Sequence, residues 1–229
     1  MNFMIAHILP LMFCAPDGYL AAYRNESASA VEFFETNRPF FEKHFPNATD
    51  EELALYYSIV APEVSQYNEL IDFFEVAALQ RKYVADGSCD YSVGRFQMKP
   101  GFAESMENEV RKNPALRARY GAMFAYKGQD AKGKRAERVG RLCSVEWQVR
   151  YLAVFVEVAA RRTAGWGLKG NVEKLRCWAT LYNAGTYLSK ARVEQRQGVR
   201  QFPRGTKEHN YSAVSVGFYE ELLMKRPDK

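Results

Sequence analysis

The chain has 229 residues, of which 47% are hydrophobic and 14% aromatic, and its formal net charge is +5. This length and composition predict one globular domain with a sizeable core, preceded at most by a short leader. The positive charge predicts attraction to anionic polymers, among which cell-wall glycans, membrane surfaces and nucleic acid stay open. Three scattered histidines and four cysteines without C-x-x-C spacing argue against a metal site.

The first fifteen residues are mostly apolar and carry no acidic or basic residue except His7. The run is too short to span a bilayer and resembles the hydrophobic part of a secretory signal. No Lys or Arg precedes it, and Phe13 stands where a small residue is expected, so an apolar arm packed on the domain stays the alternative. We expect residues 1–15 to be a leader and the protein to be exported to the periplasm or cell envelope.

Export would allow one or two disulfides among the four cysteines, with a pairing that the sequence does not reveal. Cys14 lies three positions after Leu11, which resembles a lipoprotein cleavage site except at Phe13. Lipid anchoring or another peripheral association with a membrane therefore stays open. No segment after the leader is apolar enough to cross a membrane.

The next part of the chain, residues 16–49, is predicted to be a helical extension. Apolar residues recur at helical spacing from Ser27 to Phe45, and Pro39 interrupts them, which predicts two short helices. Thr49 and Glu52 then have the spacing of a capping box, so a helix should begin there.

A second helix is predicted to run from near residue 69 to about Tyr83, with Leu70, Phe73 and Phe74 on its apolar face. The acids on this helix are expected to lie in solvent: Glu69, Asp72 and Glu75. A turn signal follows at residues 86–88, and residues 89–100 show no helical period.

The rest of the chain is predicted to be helical apart from short loops. The basic stretch 127–141 lacks interleaved aromatic residues, so we expect a solvated loop and helix start and no nucleic-acid partner. The predicted helices of this part are 102–110, 113–124, 144–162, 171–185, 187–195 and 211–224.

Five short motifs occur in order along this pattern. They are the isolated acid Glu63 after Ile59–Pro62, the segment Gly94–Pro100 with Gln97, the pair Tyr151-Leu152, the segment Leu181–Gly185 with Tyr182 and Asn183, and the turn Glu208–Ser212 with Tyr211. Their order and spacing over residues 50–216 resemble the soluble-type lytic transglycosylase domain of the lysozyme-like superfamily. The resemblance implies a mainly α, lysozyme-like domain over residues 50–229, with a short irregular or β-hairpin segment near 84–100.

Three features depart from the family pattern. Val64 follows Glu63 where the family has Ser, and Ser65 comes one position later. Glu63 and Gly94 are 31 positions apart, which implies an insertion or a longer helix over residues 69–88. Arg95 stands beside the glycine in place of an apolar residue.

The resemblance implies an enzyme that cleaves the MurNAc–GlcNAc β-1,4 bond of peptidoglycan and leaves a 1,6-anhydro-MurNAc end. One glutamate, here Glu63, would act first as general acid and then as base. Burial among apolar groups would raise its pKa enough for it to carry a proton near neutral pH. We expect Glu63 at the C-terminal end of the 50–62 helix, where the helix dipole also favours the protonated acid.

The remaining motif residues receive roles by the same resemblance. Gly94 and Gln97 would bind sugar hydroxyls, with Gly94 allowing close approach. Tyr182 would line the cleft, Asn183 would bond near the N-acetyl group or the developing ring charge, and Tyr211 would orient Glu63. Each of these side chains could instead have a purely structural role in the core or at a helix end.

No cofactor is implied, the partner would be a peptidoglycan glycan strand, and a monomer is expected. Two alternatives stay open. A muramidase-type hydrolase on the same fold would use Asp86 or Asp90 as a base. A peptidoglycan-binding protein that had lost turnover would keep the fold without the chemistry.

Overall fold

The computed structural model describes residues 18–225, and most of this part of the chain is helical. The predicted mainly α class is confirmed. The α-helices are α1 (Tyr19–Ala22), α2 (Arg24–His44), α3 (Asp50–Ser58), α4 (Ala61–Ser65), α5 (Glu69–Ala78), α6 (Val84–Asp86), α7 (Pro100–Lys112), α8 (Pro114–Tyr120), α9 (Ala131–Leu142), α10 (Val145–Thr163), α11 (Gly170–Ala184), α12 (Lys190–Gln197) and α13 (Tyr211–Met224). A π-helical turn (Leu79–Tyr83) joins α5 to α6, and a 3-10 turn (Ala164–Trp166) follows α10.

Helix α10 is the central element because most of its circumference is apolar. Its side chains from Val149 to Ala159 are nearly all buried, including Tyr151 and Phe155. Helices α2, α7, α9 and α11 all pack against it. Burying so many side chains on one helix makes α10 the scaffold on which the other elements are placed.

Helix α2 corrects one expectation. Pro39 was expected to divide this region into two helices, yet a single helix runs through it from Arg24 to His44. Phe34 and Phe41 are both fully buried on the same face, and their rings are 5.3 Å apart. Packing of this face on the core outweighs the one backbone hydrogen bond that Pro39 cannot donate.

Helices α3, α4, α11 and α13 meet on the side of the fold that carries most of the sequence motifs. The predicted capping box at the start of α3 is confirmed: Thr49 accepts from the Glu52 backbone, and the Glu52 carboxylate accepts from the Thr49 N–H at 2.8 Å. Helix α13 begins at Tyr211, as predicted, and lies against α3, α4 and α11.

The segment predicted to be irregular contains a tight hairpin after the short helix α6. Val93 and Met98 face each other as an isolated antiparallel pair, with N–O distances of 3.0 and 3.1 Å between their backbones. Gly94 at the turn has φ +73°, and Gln97 has φ +48°, which few residues other than glycine adopt. We call residues 93–98 the site hairpin.

Helix α5 has the opposite orientation to the predicted one. Its large apolar residues face outward: Leu70, Phe73 and Phe74 are 66, 65 and 62% exposed. Two of its acids, Asp72 and Glu75, are half-buried on the inner side. The prediction that these acids lie in solvent was therefore wrong.

A hydrogen bond accounts for this orientation. The Asp72 carboxylate accepts from the Gly94 N–H at 2.6 Å and from the Tyr67 hydroxyl at 3.1 Å. The bond to Gly94 requires Asp72 to face the site hairpin, and the apolar residues on the other side of α5 must then face solvent.

Cys89, Cys143 and Cys177 are not in disulfides, and Cys14 lies outside the described residues, as does the predicted leader. Between residues 18 and 225 no helix combines the length and the apolar character that a membrane crossing requires.

Candidate functional site

Glu63 lies on the five-residue helix α4, two residues after its start. Pro62 occupies the first turn, and Ala61, Pro62 and Val64 are all buried around it. The expectation that Glu63 ends the preceding helix was wrong, because the chain turns at Ile59 and Val60 before α4 begins. The dipole of α4 therefore opposes a raised pKa and does not favour it.

Burial nevertheless raises the pKa of Glu63 from 4.5 to about 7. The side chain keeps partial exposure, but packed protein surrounds the carboxyl group and disfavours its charged form. Hydrogen bonds from Asn183 and Tyr211 act in the opposite direction and lower the pKa, with a smaller effect than burial. A carboxyl group with this pKa holds a proton about half of the time at neutral pH.

Tyr211 contacts Glu63 from the first residue of α13. Its hydroxyl also donates to the Ile59 carbonyl at 3.0 Å. A phenol has one proton to donate, so Tyr211 serves either the carbonyl or an ionised Glu63 at any moment. When Glu63 is protonated, it can donate to the Tyr211 oxygen while Tyr211 keeps its bond to Ile59.

Asn183 and Tyr182 occupy the last turn of α11, which ends before Gly185. Asn183 is exposed although its side chain bonds Glu63, so it stands at the surface of the site. Tyr182 is half-buried, and its hydroxyl donates to the Phe96 carbonyl at 2.6 Å. This bond fixes the end of α11 to the site hairpin.

Gln97 turns its side chain back on the hairpin. Its backbone N–H and its side-chain amide both donate to the Gly94 carbonyl, at 2.9 and 3.0 Å. The side chain is half-buried, and one N–H of its amide closes the turn. The structure thus gives Gln97 a local role in shaping the hairpin beside any role in binding.

Position 94 must be glycine because buried groups of the protein interior lie directly against its backbone. A Cβ at this position would lie 1.8 Å from the Gln148 side-chain nitrogen and 2.6 Å from the Leu142 carbonyl oxygen. The close approach that glycine permits is therefore to Gln148 and Leu142. The expectation that Gly94 makes room for a sugar does not account for these contacts.

Gln148 was not predicted from the sequence, and it holds the site hairpin from below. It is 1% exposed. Its amide nitrogen donates to the Val93 and Leu142 carbonyls at 3.0 and 2.7 Å, and its oxygen accepts from the Phe96 N–H at 3.1 Å. A signal was present, because position 148 falls on the apolar stripe of α10 three residues before Tyr151.

Arg95 projects from the site hairpin into solvent beside the site. Its guanidinium lies 4.1 Å from the centre of the Tyr67 ring, which is a cation–π contact. Tyr67 also bonds Asp72, so Arg95, Tyr67 and Asp72 join the hairpin to the start of α5.

The two acids considered as a second catalytic carboxylate have structural bonds. Asp86 accepts from the Ser88 N–H at 2.8 Å, and hydrogen bonds from the Ser88 side chain and backbone lower the pKa of Asp86. Asp90 accepts from the Gly101 N–H at 2.7 Å near the start of α7. Neither acid is among the groups that shift the pKa of Glu63.

A polar pocket is lined in part by Asn183 and Tyr211, the two residues that act on Glu63. Its empty volume is about 380 Å³, part of which is open solvent. The residues that line it include Thr180, Asn183, Arg196, Gln201, Asn210 and Tyr211. Together with the exposed Asn183 it forms a cleft surface rich in hydrogen-bonding groups.

Within residues 18–225, no three side chains of His, Cys, Asp or Glu form a group that could hold a metal ion. Comparison with protein-family models, with curated proteins and with solved structures gave no match. The assignment of a function therefore depends on the residues of the site.

Proposed function

We propose that this protein is a lytic transglycosylase on a lysozyme-like fold, which cleaves the MurNAc–GlcNAc bond of peptidoglycan. One observation carries the proposal: burial raises the pKa of Glu63 to about 7, and Asn183 and Tyr211, from two other motifs, lie close enough to act on its carboxyl group. A fourth motif, the one that contains the site hairpin, joins them because the Tyr182 hydroxyl bonds the Phe96 carbonyl. Residues far apart in the sequence thus surround one protonatable carboxyl group.

The proposed reaction begins with proton transfer. Protonated Glu63 gives its proton to the bridging glycosidic oxygen, and the bond from that oxygen to the muramic anomeric carbon breaks. The ring then carries oxocarbenium character, near the exposed amide of Asn183. The Glu63 carboxylate is stabilised at this stage by Asn183 and by the Tyr211 hydroxyl.

The second step restores Glu63 to its protonated form. The 6-hydroxyl of the same muramic residue attacks the anomeric carbon and forms the 1,6-anhydro bond, while Glu63 takes the hydroxyl proton. No water is consumed and no covalent enzyme intermediate forms. A pKa near 7 suits a group that must donate and then accept a proton at neutral pH.

The hydrolase alternative needs a second carboxylate near the scissile bond. Asp72, Asp86 and Asp90 each accept a hydrogen bond from a backbone N–H of a turn or helix start. None of them contributes to the pKa shift of Glu63. Among the described residues, these observations favour the transglycosylase over the hydrolase.

The alternative of a non-catalytic binding protein has one observation in its favour. Val64 replaces the family's Ser, and Ser65 does not compensate for it. The Ser65 hydroxyl is 2.7 Å from the Tyr19 hydroxyl and donates to the Pro62 carbonyl at 2.7 Å. A binding protein would also use the cleft, but it would release no product.

The proposed function includes export to the periplasm or cell envelope, where peptidoglycan is found. The test is mass spectrometry of fragments released from purified sacculi by the wild type and by Glu63→Gln. We expect anhydro ends from the wild type and none from the variant. Glu220→Gln, which changes an exposed acid on α13, is the matched control and should release the wild-type products.

Each alternative predicts a different result in this experiment. Fragments with reducing ends, heavier than anhydro ends by one water, would show a hydrolase. Co-sedimentation of wild type and Glu63→Gln with sacculi, without fragments from either, would show a binding protein. Unchanged fragments from Glu63→Gln would show that another residue is the general acid.

A further inference from the structure

An apolar patch covers the outward face of α5 and has no part in the site described above. It consists of Leu70, Ile71, Phe73 and Phe74, which are 66, 57, 65 and 62% exposed. The two rings contact each other, with centroids 5.6 Å apart. Exposed patches of this kind on a globular domain commonly mark an interaction surface.

Exposure of the patch is accompanied by partial burial of two acids on the inner side of α5, which is energetically unfavourable. The Glu75 carboxyl is half-buried, burial raises its pKa, and its Oε2 atom has no hydrogen-bond partner among the described residues. The bond from the Gly94 N–H to Asp72 holds α5 in this orientation and leaves the patch exposed. Covering the patch would remove an apolar exposure that the rest of the described chain leaves in place.

Two exposed cations lie at the C-terminal end of the patch-bearing helix. Arg81 and Lys82 are exposed on the π-helical turn that continues α5. The fully exposed acid of α5, Glu69, lies at its first residue, at the opposite end from Arg81 and Lys82. Apolar side chains beside exposed cations fit the surface of a membrane that contains anionic lipids.

The area of the patch favours a membrane over a second protein copy. Four side chains exposed to this extent offer on the order of 500 Å² of apolar surface. A stable protein–protein interface needs about 800 Å² from each partner, with complementary shape. Insertion into lipid needs no complementary shape, and aromatic and aliphatic side chains suit it.

We propose that α5 docks on an anionic phospholipid surface, with the apolar patch inserted among the lipids and Arg81 and Lys82 at the headgroups. The helix would lie in the plane of the membrane and would not cross it. This inference does not depend on the proposed enzymatic function, since binding can be measured without any glycan. It places α5, and the hairpin bonded to it through Asp72, next to the lipid surface.

The experiment is sedimentation of the full chain with vesicles of phosphatidylglycerol and phosphatidylcholine, and with vesicles of phosphatidylcholine alone. We expect binding to the anionic vesicles and at least tenfold weaker binding by Phe73→Ser/Phe74→Ser. Val172→Ser/Met224→Ser is the matched control, because it removes two exposed apolar residues outside the patch and should bind as the wild type does. Arg81→Gln/Lys82→Gln should weaken binding to anionic vesicles several-fold and reduce its dependence on salt.

A second measurement reports insertion directly. Tryptophan placed by Phe74→Trp should be quenched by brominated lipid, whereas tryptophan placed by Met224→Trp should not. Equal binding by the wild type and Phe73→Ser/Phe74→Ser would overturn the proposal, as would no binding by the wild type. A dimer that Phe73→Ser/Phe74→Ser converts to a monomer would overturn it in favour of a second copy of the chain.

Discussion

The site hairpin is held from two sides, and the two sides are built differently. On the interior side, Gln148 is neutral, buried and bonded to three backbone groups. On the cleft side, the partly exposed Asp72 carboxylate accepts from the Gly94 N–H, and Tyr182, which lies near Glu63, bonds the Phe96 carbonyl. The interior side therefore fixes the shape of the hairpin, and the cleft side adjoins Glu63, whose pKa burial raises to about 7.

The largest effect on stability is expected at Gly94, because the residues on the interior side leave no space for a side chain there. In Gly94→Ala the new Cβ would overlap the Gln148 amide and the Leu142 carbonyl, and φ +73° is unfavourable for alanine. We expect a loss of about 4 kcal/mol in the free energy of unfolding, measured by urea denaturation.

Gly140→Ala provides the matched control for this substitution. Gly140 lies within α9, and no neighbouring atom comes within 4 Å of the position that an alanine methyl group would take there. Alanine should therefore be neutral or stabilise by up to about 1 kcal/mol. A Gly94→Ala protein as stable as the wild type would show that the hairpin can shift away from Gln148.

The next effect tests the hydrogen bonds of the interior side. Gln148→Leu keeps a similar volume but leaves the Leu142 carbonyl and the Phe96 N–H without this partner, while the Val93 carbonyl keeps its bond from the Met98 N–H. We expect the free energy of unfolding to fall by about 3 kcal/mol, because these buried groups lose their bonds. Gln80→Leu changes an exposed glutamine and should have little effect. A small loss in Gln148→Leu would mean that water replaces the amide.

The third effect concerns charge on the cleft side. Because the pKa of Glu63 is about 7 in the folded chain against an ordinary 4.5, the folded chain keeps a proton that the unfolded chain releases at lower pH. The stabilisation is present below pH 4.5 and is lost as the pH rises through 7. Its upper limit is about 3 kcal/mol, reduced by the partial exposure of Glu63.

Glu63→Gln isolates this contribution. The stability of the wild type relative to Glu63→Gln should fall between pH 4.5 and pH 8, whereas the difference between wild type and Glu220→Gln should stay constant. Denaturation curves over this range measure both differences. A flat difference for Glu63→Gln would mean that Glu63 titrates as an ordinary surface acid.

The sequence predicted those parts of the fold that depend on local pattern. The capping box at Thr49 and the start of α13 at Tyr211 follow from residues that lie next to each other in the chain. The apolar stripe of α10 also has a local signal, and the helix is found where this stripe predicts it. The grouping of Glu63 with Asn183 and Tyr211 was suggested only by a resemblance, because no local pattern links residues so far apart.

Other features depend on contacts between distant residues. Pro39 remains inside a helix because Phe34 and Phe41 pack on the core, and that packing has no counterpart in the local pattern. Helix α5 has an apolar pattern that predicts burial, yet the bond from Gly94 to Asp72 turns this face to solvent. In both places a tertiary contact outweighs the local preference.

The smallest effect on the free energy of unfolding is expected for Asp72, which bonds the hairpin on the cleft side. Asp72→Ala removes the carboxylate that accepts from the Gly94 N–H and from the Tyr67 hydroxyl. Asp72 is half-buried, so water can replace part of what is lost, and we expect about 1 kcal/mol of destabilisation. Hydrogen exchange at the Gly94 amide should become faster. Asp86→Ala, which removes a similar bond to Ser88 on an exposed turn, should leave that amide unchanged.

The size of this effect decides which side determines the shape of the hairpin. If the interior side does, Asp72→Ala should leave the bonds of Gln148 intact and should free α5 to rotate toward its intrinsic preference. The patch of Leu70, Ile71, Phe73 and Phe74 would then become less exposed, which binding of a hydrophobic dye can measure. A loss of stability as large as that of Gln148→Leu would instead show that the carboxylate on α5 holds the hairpin, with Gln148 filling the space beneath it.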